Sequence, residues 1–171
     1  MPATYELIQT TTTTTSSAGI TFDNISSNFT DLRIIITPIS VVASNYFYLR
    51  FNNDAFSNYS FNEIYTNGSG AFGYQSGVTT FIGVLFYTTF GTDSNNGYMC
   101  AIDIFDYSNA TSYKNIISRA SAVTDPNYPG TELTAGGWFN TAAITRIDLV
   151  SASTNNLGSG TVASLYGIKA A

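Results

Sequence analysis

Histidine is absent from this chain of 171 residues, and cysteine occurs once, as Cys100. The first absence removes the commonest general base and the commonest zinc ligand. The second excludes an intramolecular disulfide and a thiolate metal cluster. Charge is scarce too: Asp, Glu, Lys and Arg make up 10% of the residues, against roughly 25% in an ordinary soluble domain. With only six basic residues and a net charge of −5, the chain lacks the basic footprint of a nucleic-acid binder. Helix formers are thin, with eight Leu, three Glu and two Lys. No apolar run approaches the roughly 20 residues of a membrane-spanning helix. The densest, Phe81 to Tyr87, is far shorter. The N-terminus carries no basic region followed by an apolar stretch, so synthesis in the cytoplasm without Sec export is expected. On that ground the Asn-x-Ser/Thr sequons at Asn24, Asn28, Asn58, Asn67 and Asn109 are read as products of composition, not glycosylation sites.

What is present is hydroxyl, amide and aromatic. Thr, Ser and Asn number 24, 19 and 16, and aromatics reach 15% within a hydrophobic fraction of 44%. That fraction supports a folded core, and the length fits one domain over 1–171. The apolar period is two. Leu32, Ile34 and Ile36 alternate with Arg33, Ile35 and Thr37, and Phe47, Leu49 and Phe51 alternate with Tyr46, Tyr48 and Arg50. Such alternation of β-branched and aromatic residues predicts strands. The runs 5–12, 17–23, 31–37, 46–52, 59–65, 78–88, 97–106, 115–124, 132–139, 144–151 and 161–169 read as strands, separated by clusters of Gly, Asn, Asp, Ser and Pro. Short strands with turn signals and no helical insert predict an all-β antiparallel sandwich, and a jelly roll of two packed four-stranded sheets is the specific expectation. Phe81–Tyr87 is apolar on both faces and predicts a central strand, or one whose second face meets another subunit. Residues 1–15, with six threonines from Thr10 to Thr15, read as an edge strand or an extended arm able to pair with a neighbouring subunit.

Chemistry-bearing patterns are weak. Asp103 and Asp106 lie three apart on one strand and point to opposite faces. Asp23 and Asp31 read as turn residues, and the 11 acids are scattered along the sequence, so no catalytic carboxylate pair is expected. The oxygen-rich turns Asn52–Asp54 and Asp93–Gly97 are the candidates for calcium, but both lack the terminal bidentate Glu of a helical calcium loop. Gly68-Ser69-Gly70 and Gly158-Ser159-Gly160 have no histidine to act as base, and nothing positions Lys114 or Lys169 as a substitute. Cys100 reads as a small core residue. The expectation is no enzyme, no metal and no cofactor. Tyrosines are the abundant functional material. Tyr46, Tyr48, Tyr59, Tyr65, Tyr74, Tyr87, Tyr98, Tyr107, Tyr113 and Tyr128 exceed what one sandwich core can hold, and exposed Tyr suits protein interfaces and sugar stacking.

Three segments carry a likeness that periodicity does not supply. The first is Tyr5-Glu-Leu-Ile-Gln-Thr-Thr-Thr with Ser17-Ala-Gly-Ile-Thr-Phe-Asp-Asn-Ile-Ser and Phe29-Thr-Asp-Leu-Arg-Ile. The second is Leu49-Arg-Phe-Asn-Asn-Asp followed by Asn58-Tyr59. The third is Gly137-Trp-Phe-Asn-Thr-Ala-Ala-Ile-Thr with Gly158-Ser-Gly-Thr-Val-Ala-Ser-Leu-Tyr-Gly-Ile-Lys. Together they resemble small structural proteins of tailed bacteriophages, which occur as head decoration (cement) proteins and as distal modules of tail fibres. Residues between about 66 and 130 match least. The resemblance implies a virion protein on the outer capsid surface, made in the host cytoplasm, with the major capsid protein as partner and a homotrimer as assembly. Its alternative is a tail-associated receptor-binding module contacting host glycans. The matching positions look structural, so no functional residue is carried over; Arg50 is expected to serve a salt bridge or a turn hydrogen bond. Thr10, Thr12, Thr14, Phe81, Leu85 and Tyr87 are the candidate interface residues. Nucleic acid and membrane are not expected as partners.

Overall fold

The computed structural model describes residues 5–37, 47–66, 70–85, 97–123, 129–151 and 157–169. The fold is an antiparallel β-sandwich. Twelve strands are described: β1 (Tyr5–Thr12), β2 (Gly19–Phe22), β3 (Asp31–Ile36), β4 (Phe47–Phe51), β5 (Tyr59–Thr66), β6 (Ala71–Gln75), β7 (Ile82–Leu85), β8 (Gly97–Phe105), β9 (Lys114–Val123), β10 (Pro129–Trp138), β11 (Ile147–Ser151) and β12 (Val162–Ile168). The large sheet has eight strands in the order β1-β12-β3-β8-β9-β10-β5-β6, and the small sheet has four in the order β2-β11-β4-β7. The equal division into two four-stranded sheets is therefore not found. Four extra strands, β9, β10, β5 and β6, prolong one sheet. Of these, β6 is invisible to the periodicity: Ala71-Phe-Gly-Tyr-Gln is mostly exposed and is held by its pairing with β5.

Alternation does the sorting. In β3, Leu32, Ile34 and Ile36 point inward, and in β4 Phe47, Leu49 and Phe51 meet them from the other sheet. The buried residues form one continuous cluster that also takes in Phe22, Ile102, Ile104, Ile147, Leu149, Leu165 and Trp138. Trp138 stacks on Tyr59 with ring centroids 6.3 Å apart and lies 5.6 Å from Phe51. The turn from β4 to β5 needs two consecutive left-handed residues, Asn52 (φ 51°) and Asn53 (φ 58°). Asparagine reaches this region more readily than most residues because its side chain bonds locally.

β1 is an edge strand of its own chain's large sheet. It pairs with β12 from Tyr5↔Ile168 to Thr12↔Val162, with an irregularity between Leu7 and Gln9. Beyond it, the buried Thr13 ties the segment down: its N–H donates to the Thr161 carbonyl at 2.9 Å, and its Oγ1 accepts from the Thr161 N–H at 3.0 Å. The N-terminal threonines are thus extended, but seated on β12 and not reaching away as a free arm. β7 corrects another expectation. It lies at the edge of the small sheet, beside β4, not at its centre. Ile82, Gly83 and Val84 are buried all the same, because β7 packs over β10, β5, β9 and β8 of the large sheet.

Candidate functional site

The two faces of the strands β8, β9, β10 and β5 carry the distinctive chemistry. Strand pairing sets the residues in rows across the sheet. On the inner face, one row runs Ile102–Ser118–Thr134–Glu63–Tyr74 and the next Cys100–Ala120–Glu132–Tyr65–Phe72. On the outer face, the rows include Asp103–Ile117–Ala135–Asn62 and Ala101–Arg119–Leu133–Ile64. Polarity is partly exchanged over this stretch: Glu63, Glu132, Ser118 and Thr134 face in among apolar neighbours, while Ile64, Ile117 and Leu133 face out beside Asp103, Arg119 and Asn62.

The outer face exposes Met99, Phe105, Ile117, Leu133, Ile64 and Phe139, each between 39% and 64% accessible. Charge on this face gathers at Asp103, which accepts from Arg33 and, at 2.5 Å, from Arg119. The bond to Asp103 raises the Arg33 pKa. At the far end of the strands lies a hollow of about 430 Å³. Ala135 and Gly137 lie at its floor, with Phe105, Ile117 and Phe139 around them and the neutral polar groups of Ser60, Asn62 and Asn115 beside them.

The inner face holds two carboxyls, Glu63 and Glu132, each only 2% exposed. They hydrogen-bond to one another. The Thr134 hydroxyl donates to Glu63 Oε1 at 3.4 Å, and Glu63 Oε2 has no hydrogen-bond partner. Burial, then the Glu132 charge and the bond to it, push the Glu63 carboxyl up to about 8. Beside them, Ser118 Oγ donates to the Val84 carbonyl at 3.1 Å and lies 3.3 Å from Cys100 Sγ. Burial raises the Cys100 thiol to about 12, so it is a core group and a poor nucleophile. The expectation that the acids are scattered is therefore wrong for this pair. Glu63 and Glu132 are 69 positions apart in sequence, and only the β5–β10 register brings them together. The pair is sealed, unlike the open acid pair of a glycosidase.

The Asn52–Asp54 turn uses its oxygens internally. Asn52 Oδ1 accepts from the backbone N–H groups of Thr145 (2.9 Å) and Arg146 (3.1 Å). Asp54 accepts from the Phe56 N–H, Asn58 Nδ2 and Trp138 Nε1 at 2.8 to 2.9 Å. Burial pushes the Asp54 carboxyl up, but these donors, with Asn140, hold it below the ordinary aspartate value. Among the described residues, no group of three or more Cys, Asp or Glu is placed to hold a metal ion. The other oxygen-rich turn, at 93–96, lies outside the described residues.

The remaining predicted residues fall in separate places. Thr10 and Thr12 lie exposed on β1, where Thr10 Oγ1 is 3.0 Å from Ser164 Oγ. Thr14 follows the strand, and its carbonyl accepts from Ser159 Oγ at 3.0 Å. Phe81 packs on Tyr48, with centroids 4.8 Å apart, and near Phe61. Leu85 ends β7, where its backbone pairs with Phe47; its side chain and Tyr87 lie outside the described residues. Thr10 to Thr14 and Phe81 are thus on opposite sheets and do not form one surface. Arg50 donates from Nε to the Thr80 carbonyl at 3.0 Å and lies over the Tyr48 ring. Lys114 is fully buried, and its Nζ donates to the carbonyls of Ser112 (2.6 Å) and Thr141 (3.1 Å). Of the tyrosines, Tyr59, Tyr98 and Tyr107 are core, while Tyr113 is exposed against Phe139. The outer aliphatic stripe and the acid pair were missed because both read, in sequence, as ordinary alternation with the faces exchanged. No protein-family model, curated protein or solved structure matches the chain.

Proposed function

We propose that this chain is a structural protein of a tailed-bacteriophage particle, a decoration (cement) protein that attaches as a homotrimer to the outer surface of the major capsid protein lattice. The observation that carries the reading is the aliphatic outer face at Ile64, Ile117, Leu133 and Met99. Fully burying one Leu or Ile side chain is worth about 1.5–3 kcal/mol, so half-exposed side chains spread over adjacent strands supply adhesion without any bond being made or broken. On this reading, the quartets β1-β12-β3-β8 and β2-β11-β4-β7 are the two sheets of a jelly roll, and the hairpins β5–β6 and β9–β10 are insertions that widen one sheet into a contact surface. The test is reconstitution: purified protein is added to heads lacking it, and co-sedimentation is measured for the wild type, Ile117→Asp and Leu133→Asp. Loss of attachment by folded variants supports the proposal. Undiminished attachment by both removes this face from it, and a monomer by light scattering both free and on the particle removes the trimer.

A second reading, a tail-associated module that contacts host glycans, is favoured by the hollow. Its aromatic walls and neutral amides suit a sugar ring, which offers an apolar face and hydroxyl edges and carries no charge. Calorimetric titration with host surface polysaccharide, repeated with Phe139→Ala, distinguishes it. Binding that the variant loses favours the tail location over the head.

A further inference from the structure

The Glu63–Glu132 pair remains unused by either reading of the surface. Its two side chains sit one diagonal step apart on the inner face, because Glu63 lies opposite Thr134 and Glu132 opposite Tyr65. β7 closes over them: a Cβ added at Gly83 would meet Glu63 Oε1 at 3.0 Å and the Phe61 ring at 2.8 Å. Among the described residues, the titratable inner-face groups beside the pair are Tyr65 on β5, Tyr74 on β6, and Tyr98 and Cys100 on β8; the buried Lys114 of β9 lies six residues along from Ala120, opposite Trp138, and Arg119 is on the outer face. β9 supplies Ser118 and Ala120, and β7 supplies Gly83 and Val84. None of the described groups beside the pair is a cation.

All six basic residues of the chain are committed elsewhere. Arg33 and Arg119 hold Asp103 on the outer face of the large sheet. Arg146 pairs with Asp148, and Lys169 with Glu6. Arg50 bonds the Thr80 carbonyl, and Lys114 the carbonyls of Ser112 and Thr141. Two buried carboxylates without a cation cannot both be ionised at low cost, so one must keep its proton.

We propose that Glu63 and Glu132 form a proton-dependent latch: with one proton held between the two carboxyls, β7 is fastened to the large sheet, and loss of that proton to solvent leaves two carboxylates that drive β7 off. The raised Glu63 pKa agrees in direction. Release of β7 exposes Cys100, Ser118 and Thr134, the groups now beneath it. The latch opens in mild alkali and closes on return to neutral pH.

The chain contains only three glutamates, Glu6, Glu63 and Glu132, so carbon-13 labelling of Glu side chains gives three carboxyl signals. The expected result has two parts. Two of the three signals report one shared, high-lying titration step, and the protection factors of the Gly83 and Val84 amides, corrected for intrinsic exchange, fall at least tenfold across it. Glu63→Gln should abolish that fall. If this variant does not fold, the wild-type titration and exchange decide alone. Three signals titrating in the ordinary carboxylate range overturn the proposal, as does unchanged β7 protection across the step. A titration suppressed by millimolar calcium or magnesium and restored by chelator also overturns it, since the pair would then hold a cation in place of the proton.

Discussion

Strands β3, β12, β4 and β11 and strands β9, β10 and β5 obey the same two-residue period with opposite results. The first group buries Leu32, Ile34, Ile36, Leu165, Leu149 and Phe51 and turns Arg33, Arg50 and Asp148 outward. The second buries Ser118, Thr134, Glu63 and Glu132 and turns Ile117, Leu133 and Ile64 outward. The difference separates two uses of apolar area. In the first group it is removed from water by folding and holds the sandwich together. In the second, Tyr59, Phe61, Ile116 and Trp138 are still buried, but part of the apolar area stays at the surface, available to a partner, while the interior also keeps polar groups that call for partners.

Matched substitutions break or sharpen this contrast. The largest expected effect is Ile34→Ala, which should cost about 2–5 kcal/mol because it leaves a cavity between the sheets. The same change at Ile117, which is 39% exposed, should cost under about 1 kcal/mol, since little area is lost from the interior. Urea denaturation of both variants reads the difference directly, and equal losses would abolish the distinction between the two groups.

The two bonded carboxylates of the inner region and the β4–β5 turn should respond oppositely to pH. Below the ordinary Glu value, both folded and unfolded chains hold the Glu63 proton. Between that value and about 8, the unfolded chain has released a proton that the folded chain keeps. Stability therefore falls as pH rises, by about 1.4 kcal/mol per pH unit, and levels off above the folded value. Asp54, held below its usual value by its donors, contributes stability above the unfolded aspartate value and loses it as pH falls through the folded one. Urea midpoints from pH 3 to 9 should show a maximum on the acid side of neutrality. Glu63→Gln should flatten the alkaline limb, and Asp54→Asn should flatten only the acid limb.

Next in size is a pair of glycines on one strand. A Cβ at Gly136 would lie 2.5 Å from Ile82 Cγ2, whereas a Cβ at Gly137, on the outer face, would meet nothing nearer than 3.8 Å. Gly136→Val should cost about 1–3 kcal/mol by overpacking β7, and Gly137→Val should stay within about 0.5 kcal/mol. Thermal denaturation of the two proteins checks this. The smallest effect on stability and the largest on association should come from Leu133→Asn. It should move the urea midpoint by no more than about 0.5 kcal/mol and weaken the proposed attachment, read as reduced co-sedimentation with heads lacking the protein.

Much of the fold is legible in the sequence. Leu32–Ile36, Phe47–Phe51 and Ile147–Ser151 announce strands because β-branched and aromatic residues recur at every second position, and Asn52-Asn53 announces the turn that follows the second of them. β6 is not legible, because it is short, exposed and held by pairing with β5 instead of by its own pattern. β7 reads as central, or as a strand whose second face meets another subunit, because both its faces are apolar; within the chain it is an edge strand packed over the opposite sheet. For the surface, the abundance of tyrosine pointed toward contacts, but the residues exposed in a stripe are aliphatic.

The alternation of β5 and β10 is plain in the sequence; the face each set takes is not. Read alone, Ile64 and Leu133 belong inside, and Glu63 and Glu132 outside. What reverses them is register, set at one end of both strands by Tyr59, Phe61 and Trp138 packing against Phe51, Tyr74 and each other. Because side chains alternate with a period of two, that anchoring dictates the orientation of every residue further along. The sequence by itself determined most of the strands and turns and the scarcity of basic residues that could pair with a buried acid. Only the tertiary structure decided which face each strand presents, and so brought two distant glutamates into contact and left an aliphatic stripe in water.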